Sequence, residues 1–126
     1  MGSEMRASFC AISVVIGTAW LIAPAGAQSL TLDQMTMAEM IDAAMFAADR
    51  CHGVHIIADS VRANADAAGV TPEQISSPEW QAALARGEII AKQNYSKDPA
   101  NFCERMWHFL GPDHPGIVKF TLLTRE

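Results

Sequence analysis

The chain has 126 residues, half of them hydrophobic, and its 14 acidic against 9 basic side chains give a net charge of -5. The basic residues from Arg50 to Arg125 are scattered, so nucleic acid finds no cationic stripe to follow. One domain is the expectation for this length, and no apolar run beyond the opening one approaches the length of a membrane span.

Residues 1–27 read as a cleavable secretory signal peptide. Phe9 to Ile22 is apolar or small throughout, too short for a bilayer but suited to a signal core, and Arg6 before it is offset by Glu4. Ala25, Gly26 and Ala27 supply the small residues a signal peptidase needs, which places cleavage between Ala27 and Gln28. Cys10 lies inside the apolar run behind Phe9 and leaves with the signal. The mature part, residues 28–126, is then a single small helical domain, periplasmic or secreted, with no membrane span after cleavage. It keeps Cys51 and Cys103, and in an oxidising compartment one disulfide between them is the only connectivity.

Leu30 and Leu32 alternate with polar residues and permit a short strand or an extended lead-in. Thr36 with Glu39 has capping-box spacing, which predicts a helix from Met37 to about Arg50 with Met37, Met40, Ile41, Ala44 and Ala48 inward. The alanine-rich stretch from about Gly53 to Ala68 predicts a second helix that Gly69 stops. Val54, Ile57, Ala58, Val61, Ala65 and Ala68 form its buried stripe, opposite His55, Asp59, Arg62 and Asp66. Val70 to Ser76 reads as a connector. Ser77-Pro78-Glu79 opens a third helix through Trp80, Ala83, Leu84 and Ala91 toward Tyr95, unbroken at Gly87.

Asp98-Pro99 opens a fourth helix, with Cys103, Met106, Trp107 and Leu110 inward and Gly111 at its end. After the turn-rich stretch from Gly111 to Gly116, Ile117 to Thr124 is apolar and β-branched, with Val118, Phe120 and Leu122 on one side of an extended chain. Its backbone must pair with Leu30 to Leu32, pair with another molecule, or lie as an irregular arm. The fold class is therefore all-α or mainly α: about four short helices stapled by one disulfide, with an extended C-terminal arm or short strand.

If the second helix begins before Gly53, His52, His55 and Asp59 share one of its faces, a donor set suited to zinc or copper. Oxidised Cys51 is unavailable to it, and a solvated stripe explains these residues more simply. Met35, Met37 and Met40 offer thioethers to reduced copper, against an ordinary role in packing. No cofactor is expected, with zinc or copper as the alternative. Phe46 and Ile89 fall off the buried faces of their helices and mark either a second part of the core or a contact surface. The chain has no nucleophile elbow, His-Glu-x-x-His, Gly-rich phosphate loop or redox cysteine pair, so catalysis is not expected, and an unrecognised hydrolase ranks third.

In general plan, a small exported helical chain with two cysteines about fifty residues apart is similar to the acid-activated periplasmic chaperones. The similarity is one of plan without a shared residue motif, so no residue role follows from it. Thirteen acidic residues and four histidines after residue 27 swing the charge positive toward pH 3, as in any acidic helical protein. The leading expectation is a non-catalytic periplasmic protein that binds another envelope protein, or itself as a homodimer. Its contact surface would be the Phe46 side of the first helix, Ile89, or the arm with Val118, Phe120 and Leu122; periplasmic metal handling is the alternative.

Overall fold

The structure, a computed structural model, describes residues 29–126; the predicted signal peptide, Cys10 and the predicted cleavage junction at Ala27–Gln28 lie outside the described residues. The chain is mostly helical, in the order α1 (Leu32–Arg50), β1 (Val54–Ile56), α2 (Ala58–Ala67), α3 (Pro72–Ile75), α4 (Pro78–Lys97), α5 (Pro99–Leu110) and β2 (Leu123–Arg125).

Helix α1 starts at Leu32, upstream of the predicted Met37, because Thr31 and Gln34 form the capping box instead of Thr36 and Glu39. The Thr31 hydroxyl accepts from the Gln34 N–H at 3.1 Å, and Gln34 Oε1 accepts from the Thr31 N–H at 3.0 Å. Glu39 is used elsewhere: it pairs with Arg86 at 3.0 Å. Thr71 and Gln74 repeat the same box and open α3, a single turn where the sequence suggested only a connector. The two glutamines then bond each other. Gln34 Nε2 donates to Gln74 Oε1 at 3.2 Å and Gln74 Nε2 donates back at 2.9 Å, with Ala68 and Ser29 carbonyls taking the remaining donors. Both amides are buried and fully partnered, so the N-termini of α1 and α3 are tied together by polar groups that would be costly to separate.

Val54 to Ile56 is a strand, which corrects the predicted helix from Gly53 to Ala68; the helix proper begins at Ala58. Two causes combine. Gly53 has φ +72°, a left-handed conformation that turns the chain straight after Cys51, and Val54, Ile56 and Ile57 are β-branched residues with a partner strand to hand. That partner is β2, antiparallel, with Val54 opposite Arg125, His55 opposite Thr124 and Ile56 opposite Leu123. Flanking bonds extend the ladder, from the Glu126 N–H to the Gly53 carbonyl and from the Ile57 N–H to the Leu122 carbonyl. The arm thus pairs within its own chain, but with β1 and not with Leu30 to Leu32. Only Leu123–Arg125 of the arm is strand.

Helices α1 and α4 make the most extensive helix contact. They run in the same general direction, since Glu39 meets Arg86 and Gly87 at one level and Phe46 meets Tyr95 further along both. Gly87 does not weaken α4; it lets the backbones touch. A Cβ there would lie 2.7 Å from Glu39 Cα and overlap the Glu39 carbonyl group. One core gathers Ala38, Ile41, Ala65, Val70, Trp80 and Ala83. The other holds Phe46, Cys51, Phe102, Leu110, Val118, Leu122 and Leu123 among its members. Cys51 follows the last residue of α1 and lies at disulfide distance from Cys103 of α5, with Cα atoms 5.7 Å apart, as the sequence predicts.

Beside this crossing, partial burial raises the pKa of Asp42 above 3.8; the negative charge of Glu88 raises it further, and Lys92 opposes both. A carboxyl whose folded pKa exceeds its unfolded one binds its proton more tightly when folded. Its charged form therefore costs stability at pH 7, and that cost fades as pH falls through the folded value and is gone below about 3.8. Asp42→Asn is expected to raise the melting temperature at pH 7 but not at pH 3. An equal gain at both values would contradict this sign.

Candidate docking cleft

Helix α1 buries Ala38, Ile41, Ala44 and Ala47, which leaves Met37, Met40 and Ala43 along its flank at helical spacing. Helix α5 presents Met106, Phe109 and Leu110 toward the same side, and the segment leaving α5 brings Ile117 across. These six side chains other than Met37 line a wholly apolar depression of about 230 Å³. It adjoins a larger one of about 560 Å³, because Met40 and Ile117 border both. The larger depression continues over Met37, Ala67, Ala68 and Val118, and its polar rim includes Asp33, Thr36, His114 and Lys119. The His114 imidazole is held by its own loop, its Nδ1 accepting from the Gly116 N–H at 3.2 Å. Phe109 and Ile117 are each 40 % exposed, so the cleft is open and apolar at its mouth.

The predicted site residues fall in different places. Phe46, Val118 and Leu122 are core residues, at 8, 1 and 0 % exposure, so none of the three presents a contact surface. Phe46 turns inward because α1 is covered on more than one side: its ring meets Tyr95 and Phe102 edge-on, with centroids at 6.1 and 5.7 Å. Ile89 and Phe120 are exposed, on α4 and on the arm respectively. The side-by-side placement of Val118, Phe120 and Leu122 fails because residues 118–121 are not strand.

His52, His55 and Asp59 do not share a helical face. His52 sits in the turn after α1, His55 on β1 and Asp59 in the first turn of α2. His55 Nε2 lies 3.3 Å from Glu126 instead, and among the described residues no group of three His, Cys, Asp or Glu is placed to hold a metal ion. Met35 packs with Leu30 against the core of Ala38, Ile41 and Trp80, while Met37 and Met40 reach the cleft, so the three thioethers do not converge on one role.

The sequence reading missed Phe109, whose spacing from Met106 matches that of Met40 from Met37 and was the available signal. It also missed Asn64, the one fully buried polar residue of α2, which lies beneath the cleft wall.

Fold and cleft together define a small helical protein with a disulfide-distance cysteine pair and an open, methionine-lined surface groove. The chain matches no protein-family model, no curated protein and no solved structure.

Proposed function

We propose that this is a non-catalytic binding protein that works outside the reducing cytoplasm and takes a polypeptide partner in the cleft between α1, α5 and the segment after α5. The observation that carries the reading is the wholly apolar depression of Met40, Ala43, Met106, Phe109, Leu110 and Ile117 opening at the surface of a chain with net charge -5. Unbranched methionine side chains adapt to differently shaped apolar partners, and a groove between two helices suits an amphipathic segment better than a compact metabolite. The Cys51–Cys103 pair fits an oxidising compartment, and among the described residues no helix is long and apolar enough to cross a membrane.

Phe109→Lys and Ile117→Lys each place a charge at the mouth without disturbing a buried side chain. Each is expected to reduce co-purification of the partner from the native host by about tenfold or more, the loss typical of a truncated or charged anchor, whereas Ile89→Lys on α4 leaves it intact. Equal recovery with all three, from variants that melt like the parent chain, would contradict the reading.

A further inference from the structure

The wall of the cleft contributed by His114, Gly116, Ile117, Val118 and Lys119 belongs to the segment between α5 and β2. Its ends are fixed. The Gly111 N–H donates to the Trp107 carbonyl at 2.8 Å with Gly111 packed against the Trp107 ring, and Leu122 both donates to the Leu110 carbonyl and accepts from Ile57. Between those ends, among the described residues, the segment reaches the rest of the protein through the hydrogen bonds of one side chain only. Lys119 and Phe120 N–H groups both donate to Asn64 Oδ1 at 3.0 Å, and Asn64 Nδ2 donates to the Phe120 carbonyl at 2.9 Å. Every other hydrogen bond within residues 112–121 is local to the turn. Apolar anchorage of the segment rests on Val118, which enters the core with Phe102 and Leu110. Ile117 and Phe120 stay 40 % exposed.

We propose that residues 112–121 form a strap that opens as a unit when Asn64 lets go, and that this opening gates the docking cleft; the gating role rests on the reading of the cleft as a binding site. Asn64 is fully buried, and its fourth bond, from Nδ2 to the Ser60 carbonyl at 2.9 Å, holds the amide in the orientation that the strap requires. All three tethers share one carboxamide, so they form and break together. Pro112 and Pro115 carry no backbone donor, and the Gly116 N–H is spent on His114 within the turn. Opening withdraws Val118 from its core and exposes the floor beside it, Met37, Met40 and Ala68, while the core of Ala38, Ile41, Ala65, Val70, Trp80 and Ala83 stays closed; such a region belongs to the low end of the local stability range. A partner that binds the widened groove draws the open population forward.

Native-state hydrogen exchange on the full purified protein tests the strap without needing a partner. In the parent chain the Lys119 and Phe120 amides are expected to exchange about tenfold or more faster than the Ala91 amide of α4, and with weaker denaturant dependence. Asn64→Ala is expected to accelerate those two amides by about a further tenfold relative to Ala91, whereas Gln34→Ala, which removes another buried amide elsewhere, leaves that ratio unchanged. Should Asn64→Ala not fold, Asn64→Asp keeps the acceptor for both N–H groups and loses only the donor, and the parent-chain rates alone remain decisive. Exchange of Lys119 and Phe120 at the Ala91 rate in the parent chain, or equal acceleration by the two alanine variants, overturns the strap. Loss of partner capture in the cleft variants with normal strap exchange would sustain the cleft, and strap opening without any partner would sustain the strap alone.

Discussion

Phe102→Ala is expected to lower the unfolding free energy by about 3–5 kcal/mol, the range for deleting a buried aromatic ring. Phe102 is 1 % exposed on α5, and its ring meets Tyr95 of α4 at 5.4 Å and Phe46 of α1 at 5.7 Å, both edge-on. Three helices therefore share one cluster, and the void left by alanine is bordered by two rings that already hold each other. Collapse into the void would pull α1 off its crossing with α4, where Gly87 leaves no slack against the Glu39 backbone. Arg50 adds to the cost, since its guanidinium lies over Phe46 at 5.1 Å and over Tyr95 at 5.5 Å and loses that seat if the rings reorient. Urea denaturation of the variant checks the magnitude. A loss below about 1 kcal/mol would mean that this cluster does not organise the fold.

Opening the Cys51–Cys103 link is expected to cost about 4 kcal/mol by the chain-entropy relation for a separation of 52 residues. Cys51 lies where α1 ends and the chain turns toward β1, so a disulfide to Cys103 would fix α5 against that junction. The strand pair depends on the same junction. With β2 still paired to β1, release of α5 frees the Gly111 end of the strap, while the Leu122 end stays held by Ile57. A Cys51→Ala, Cys103→Ala double variant separates this from thiol chemistry, and its denaturation midpoint should fall well below that of the oxidised parent chain. Midpoints that coincide with and without reductant would show that the two sulfurs are not joined in the folded protein.

The helices that carried their own punctuation were legible. Ser77-Pro78 and Asp98-Pro99 mark the starts of α4 and α5, and Gly69 at φ +76° marks the end of α2, as their chemistry requires. Thr31 with Gln34 was passed over for Thr36 with Glu39, although both spacings are capping boxes; the choice was made by Gln74, which sits 40 residues away and needs Gln34 as its partner. Val54 to Ile57 was misread for a similar reason, since alanines downstream suggest a helix while the strand depends on residues at the far end of the chain. Phe46 defeats a single-stripe reading because α1 is central and packs on several sides. The cleft was half visible: Met37 and Met40 were noticed, but nothing local indicates that Phe109 and Ile117 arrive opposite them.

In the proposed function a partner enters through the mouth formed by Phe109 and Ile117. A photoreactive amino acid placed at position 109 in the native host, with position 89 on α4 as the control, tests it directly. A discrete covalent adduct is expected from position 109 and none from position 89. Adducts from position 89 alone, or none from either while the tagged chain still holds its partner through purification, would contradict it.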